Sequence, residues 1–198
     1  MMSIGIDFDN TIVCYEGVFH QIASEQNLIP STLPQSKQAV RDYLRQQGLE
    51  EEWTRLQGHV YGNRMREAKP FEGIIDFLKQ CQRLHIPTSI ISHKTLYPYL
   101  GPQYNLHESA LDWLDYYGFY AWVPKENIFF ELTKEAKIER IRSQACTHFI
   151  DDLPEFLTEP SFPSIHRLLF DPENLCALSK DYATFFSWSA LQEFLLGL

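Results

Sequence analysis

Apolar residues along this chain come in two rhythms. Short unbroken runs, Ile4-Gly5-Ile6, Thr88-Ser89-Ile90-Ile91, Ile128-Phe129-Phe130, His148-Phe149-Ile150 and the stretch from Ile165 to Phe170, have the length and β-rich content of strands. Runs with no polar alternation suit a parallel sheet covered on both faces. Between them, apolar positions recur at helical spacing. Ile74, Phe77, Leu78, Cys81 and Leu84 make one stripe, stopped by Ile86-Pro87. Asn105 with Glu108 three residues on predicts a helix start, and Gly118 its end. Thr133 caps a helix carrying Lys134, Lys137, Ile138 and Ile141, and Ser189 with Gln192 opens a terminal amphipathic helix. Strands alternating with helices predict an α/β fold, a doubly wound, Rossmann-like parallel sheet with right-handed crossovers, whose ligands bind outside the carboxyl ends of the strands.

One region departs from this alternation. From Val13 to Pro70 the pattern is helical throughout, with Val18, Ile22 and Ala23, then Val40, Tyr43 and Leu44, then Trp53, Leu56 and Val60 at helical spacing. Two prolines in Ile29-Pro30-Ser31-Thr32-Leu33-Pro34 separate the first helix from the second. The expected organisation is a core domain of residues 1–13 and 71–198 with a small helical cap, 14–70, inserted after the first strand. Gly58 to Gly62 and Ala68 to Gly73 are the expected return hinge.

The first strand ends in Asp7-Phe8-Asp9-Asn10-Thr11, so two carboxylates two residues apart start on the same face. Aligned anions resist burial unless a cation, a substrate charge or a shared proton offsets them. Other strand ends supply partners: Ser92 follows Ile90-Ile91, Asp151-Asp152 follows His148-Phe149-Ile150, and Lys134 and Lys137 lie on the helix between. Composition narrows the partners. With 198 residues, 44% hydrophobic and 22% charged, the chain has the content of an ordinary globular protein, and its net charge of −9 disfavours nucleic acid and anionic membranes. Cys14, Cys81, Cys146 and Cys176 lack metal-site spacing, and no apolar run approaches a membrane span or a signal peptide, which suggests a reducing, cytoplasmic setting without disulfides. Histidines at ligand spacing for zinc or iron are also missing.

A strand ending in Asp-x-Asp-x-Thr, a strand ending in Ser, a helix-borne Lys and a strand ending in Asp-Asp, in that order, resemble the haloacid dehalogenase-like (HAD) superfamily. The resemblance covers the core and implies a phosphatase-type hydrolase. Asp7 would be the nucleophile, forming an aspartyl-phosphate, and Asp9 the group that protonates the leaving oxygen and then deprotonates water. Ser92 would bond a phosphoryl oxygen, Thr11 hold the Asp7 loop, and Lys137, or Lys134 in its place, balance the charge. Asp7, the Asp9 carbonyl and the Asp151-Asp152 pair would hold Mg²⁺, a hard cation suited to oxygen ligands. Asp152 is the preferred member of that pair, although relatives differ in which acid reaches the metal.

Asp9 separates this chain from the dehalogenase branch, whose halide leaving group needs no proton donor. The order of the acids separates it from receiver domains, in which the acid pair precedes the phosphorylated Asp. A phosphomutase or other phosphotransferase on the same scaffold, and a non-catalytic interaction protein, remain as alternatives. The expected partner is a small phosphomonoester, with substrate and oligomeric state left open. His93, Lys94, Arg64 and Arg66 are set aside as solvated basic residues.

Overall fold

In the computed structural model, which describes residues 2–198, the chain divides into two compact units, one of residues 2–13, 70–94 and 118–198 and one of residues 14–69 and 95–117.

The first unit is built on a six-stranded sheet in the order β5-β4-β1-β6-β7-β8, with every pairing parallel. Its strands are β1 (Ile4–Ile6), β4 (Thr88–His93), β5 (Ile128–Glu131), β6 (His148–Asp151), β7 (His166–Phe170) and β8 (Ala183–Phe185). Two short strands, β2 (Val13–Cys14) and β3 (Lys69–Pro70), pair separately. The expected doubly wound α/β architecture is therefore present, with one strand more than the apolar runs announced. β8 pairs in register with β7, Thr184 opposite Leu169, and its half-exposed edge position explains why no buried run marks it.

Parallel register fixes what each face carries. Ile6, Ile90, Ile150 and Leu168 are register partners and share one face. Here α4 (Ile74–Arg83) and α8 (Trp188–Leu196) pack, with the Phe77 and Phe170 rings 5.1 and 5.4 Å from Trp188. The other face carries Ile91, Phe149 and Leu169 against Ile138 and Ile141 of α6 (Lys134–Ser143) and Phe156 and Leu157 of α7 (Pro154–Leu157). Gly5 belongs to that face. A Cβ there would lie 2.6 Å from the Phe149 ring, so the glycine is what lets Phe149 lie across β1. Thr133 caps α6 as the sequence predicts, its hydroxyl accepting from the Ala136 N–H. The terminal helix starts two residues earlier than predicted: Ser187, not Ser189, is the cap, because its hydroxyl accepts the Ala190 N–H and Trp188 then enters the core as the first helical residue.

The second unit holds α1 (Val18–Glu25), α2 (Lys37–Gln46), α3 (Glu50–Tyr61) and α5 (Leu106–Tyr116). Its centre is aromatic: Phe19 lies 5.1 Å from Trp53 and 5.7 Å from Tyr61. The helices fall where the apolar spacing put them, but the unit is larger than residues 14–70. Residues 95–117, read from sequence as part of the core domain, belong here. Leu106, Ala110, Trp113 and Leu114 bury one face of α5, and Trp113 Nε1 donates to the Ala68 carbonyl at 2.8 Å. Nor do residues 58–61 form a hinge loop. They complete α3, and a Cβ on Gly62 would meet the Tyr104 ring at 2.6 Å, so close packing accounts for that glycine.

Candidate active site

The candidate residues of the first unit converge at the carboxyl ends of β1, β4 and β6. Asp7 follows β1 directly, and its side chain belongs to the face that receives α6. Ser92 Oγ donates to Asp7 Oδ1 at 2.9 Å, and Lys137 Nζ donates to the same oxygen at 2.5 Å. Lys137 also donates to Asp151 Oδ2 at 2.6 Å. All four side chains are buried, Asp151 completely. Lys134, the alternative lysine, lies one helical turn away and is half-buried. Why Lys137 reaches inward follows from its helix: it stands beside Ile138 one turn before Ile141, on the apolar face of α6. Its ammonium lies 4.1 Å from the Phe156 ring centroid and 5.4 Å from that of Phe149, an aromatic cage in which only the two carboxylates match its charge.

Burial raises the Asp7 pKa to about 7. Lys137 opposes that shift, and the neighbouring charges of Asp151 and Asp9 add to it. Burial works against the Lys137 charge in turn, but Asp151 and Asp7 outweigh it and hold the ammonium above its ordinary range. One carboxylate oxygen each from Asp7, Asp151 and Asp152 lies within 4.8 Å of the others. Each Asp151 oxygen already accepts a hydrogen bond, Oδ2 from Lys137 and Oδ1 from the Leu153 N–H at 2.9 Å. Asp152 is half-buried.

Asp9 lies past the strand, where Asn10 takes a left-handed φ of 58° and turns the chain back toward β2. Its Oδ2 accepts from Lys94 Nζ at 2.7 Å. Lys94 is 5% exposed, so setting it aside as a solvated residue is corrected by the structure. Thr11 is fully buried, yet its hydroxyl has no hydrogen-bond partner among the described residues. The loop is tied instead through the Thr11 carbonyl, which accepts the Trp188 Nε1–H at 3.1 Å. Sequence offered a signal for Lys94 in its position two residues after Ser92, the spacing that also separates Asp9 from Asp7. It offered none for Trp188, which arrives 177 residues later in the chain.

No family model and no curated protein matches the sequence. Solved structures do match. A HAD-superfamily hydrolase of subfamily IA, variant 1, from Geobacter sulfurreducens PCA aligns with a TM-score of 0.61 at 12% identity, over 98% of this chain and 96% of that one. A HAD family hydrolase from Deinococcus radiodurans R1, with bound phosphate and sodium, gives 0.60 at 17% identity, over 98% and 95%. A predicted phosphoglycolate phosphatase from Haemophilus somnus 129pt gives 0.61 at 10% identity, over 98% and 97%. The chain has the fold of the HAD-superfamily hydrolases, with an aspartate cluster at the carboxyl edge of its sheet.

Proposed function

We propose that the protein is a Mg²⁺-dependent hydrolase of small phosphomonoesters that works through an aspartyl-phosphate on Asp7. The observation that carries the proposal is the setting of Asp7: a buried carboxylate at a strand end, held by Ser92 and Lys137 and grouped with Asp151 and Asp152. Phosphate esters resist hydrolysis because an anionic nucleophile meets an anionic phosphate, so a site needs fixed cations and donors around a fixed nucleophile. Lys137 and Ser92 supply both next to Asp7. The Deinococcus neighbour binds phosphate and the Haemophilus neighbour carries a phosphatase name, which supports phosphoryl chemistry here by analogy of fold.

Among Asp7, Asp9, Asp151, Asp152, Lys94 and Lys137, acids outnumber lysines by two, which favours a divalent cation. Asp7, Asp151 and Asp152 offer carboxylate oxygens, hard donors of the kind Mg²⁺ prefers. Asp7 and Asp152 are the proposed direct ligands, joined by the Asp9 carbonyl, because Asp151 already satisfies Lys137 and the Leu153 N–H. Bound there, Mg²⁺ would neutralise charge on the phosphoryl oxygens.

In the first half-reaction an Asp7 oxygen bonds to phosphorus as the ester P–O bond breaks, and Asp9 gives its proton to the departing oxygen. In the second, water attacks phosphorus, the Asp7–phosphorus link breaks, and Asp9 takes the water proton. We assign choice of the substrate's organic portion to residues 14–69 and 95–117 as a cap unit. Turnover of a phosphomonoester panel with Mg²⁺, run beside Asp7→Asn, tests the proposal. Asp7→Asn is expected to fold and to lose at least about 10⁴-fold in kcat, in line with removal of a nucleophile. Rapid acid quench and mass spectrometry should find the phosphoryl group on Asp7. Turnover that survives Asp7→Asn, or a phosphorylated residue elsewhere, would overturn the assignment.

A further inference from the structure

In the sheet, Ile6 stands opposite Ile90, and beyond this pair two polar contacts follow between the two segments, both at a sequence separation of 85. One is Ser92 with Asp7; the other is Lys94 with Asp9. The Lys94 backbone is pinned, its N–H donating to the Glu131 carbonyl at 2.8 Å. Its ammonium lies 5.5 Å from the centroid of Phe8, a fully buried ring that meets Phe130 edge-on at 5.2 Å. A lysine so placed gives up hydration and must recover it from a charged partner. Asp9 is placed differently. It lies outside the named strands, bridged to Val13 and next to the left-handed Asn10, with its side chain 21% exposed and its carboxylate held by Lys94.

We infer that Lys94 is a positioning residue, holding Asp9 Oδ2 so that the carboxylate faces first the leaving oxygen and then the incoming water. The inference rests on the hydrolase reading above and deepens it. Lys94 transfers no proton in either half-reaction; the proton moves between Asp9 and the reacting oxygen. Displacement of an acid–base group by about 1 Å can cost on the order of a hundredfold in rate, which makes a rigid tether to a residue outside the named strands consequential.

Steady-state kinetics on an alkyl and an activated aryl phosphomonoester with Mg²⁺ test this, using wild type, Asp9→Asn, Lys94→Met and the double variant. Methionine keeps an unbranched apolar stem of similar length and removes the charge. Lys94→Met is expected to lower kcat on the alkyl ester by roughly 10- to 100-fold, less on the aryl ester, with KM nearly unchanged. The double variant should be no slower than Asp9→Asn, because a residue that acts only through Asp9 has nothing left to position. Losses that multiply in the double variant, or a raised KM with kcat intact, would overturn the inference; the second result would make Lys94 a phosphate contact. If Lys94→Met does not fold, Lys94→Arg takes its place. It should keep most of the wild-type kcat on the alkyl ester and add nothing to the loss in Asp9→Asn, and multiplying losses there would again overturn the inference. A wild type that hydrolyses no ester in the panel removes the hydrolase reading and this inference together, whereas an active wild type with multiplying losses removes this inference alone.

Discussion

Ion pairs of similar length stand in opposite settings in the two units. In the helical unit, Arg45 meets Glu50 at 2.8 Å with side chains 50% and 57% exposed, and Arg66 meets Asp112 at 2.6 Å with 56% and 52%. In the sheet unit, Lys137 meets Asp7 at 2.5 Å with 4% and 7%, and Lys94 meets Asp9 at 2.7 Å with 4% and 21%. Distance alone would rank these contacts together. Solvent separates them, since water and salt screen the first set, and each charge of the second depends on its partner for solvation. The exposed pairs are surface decoration on helices that aromatic packing already holds. The buried ones are where the fold has accepted a stability cost, and buried charge of that kind clusters at functional sites.

Replacing Lys137 sharpens this contrast most. Lys137→Met leaves Asp7 and Asp151 without their shared cation and should cost about 3–5 kcal/mol, the range for breaking a buried pair from one side. Urea unfolding of the metal-free protein measures it. The loss should shrink below neutral pH, where one carboxylate can take up a proton; a loss under about 1 kcal/mol at pH 8 would place this pair with the surface ones.

The next effect, of a few kcal/mol, lies in the pH dependence of wild-type stability without metal. Burial pushes the Asp7 pKa in the folded protein up to about 7, well above its ordinary value of 3.8, so between these limits the folded protein holds a proton that the unfolded chain releases. Its contribution to stability is therefore full below about pH 4 and lost as the pH rises through about 7. Asp7→Asn should flatten that part of the profile and make the metal-free protein more stable at pH 8. Mg²⁺, competing with the same proton, should bind more tightly at pH 8 than at pH 6 by calorimetry. Equal slopes in wild type and Asp7→Asn would mean that Asp7 does not carry the proton.

The smallest effect is expected at Arg45. Arg45→Ala should leave the thermal midpoint within measurement scatter, since its pair with Glu50 is half exposed on both sides and screened by water. A clear fall in midpoint would break the comparison from its exposed end.

How far each residue could be read beforehand follows the same division between local and remote causes. Asp7, Ser92 and Asp151 were legible because each ends an apolar run, and a run of that kind fixes a strand, its face and its functional edge. Lys137 was legible against Lys134 only weakly, through the apolar stripe of Ile138 and Ile141 beside it. Lys94 was legible only in its spacing from Ser92, which matches that of Asp9 from Asp7: a lysine after a strand is by default solvated, and its partners Phe8 and Asp9 lie outside its own segment. The Thr11 loop shows the same limit, because its observed tie is a backbone carbonyl bonded to Trp188, a residue far away in the sequence.

By itself the sequence determined the alternation of strand and helix, the parallel α/β class and the order in which acids, serine and lysine reach the sheet edge, because periodicity, caps and turn residues act over a few neighbours. Tertiary structure decided the rest. It joined residues 95–117 to the helical unit through Trp113, added β8 at the edge, chose Lys137 as the cation shared by Asp7 and Asp151, and gave Asp9 its own lysine. Each of those outcomes turns on which surfaces are shielded from water, and shielding is a property of segments brought together from distant parts of the chain.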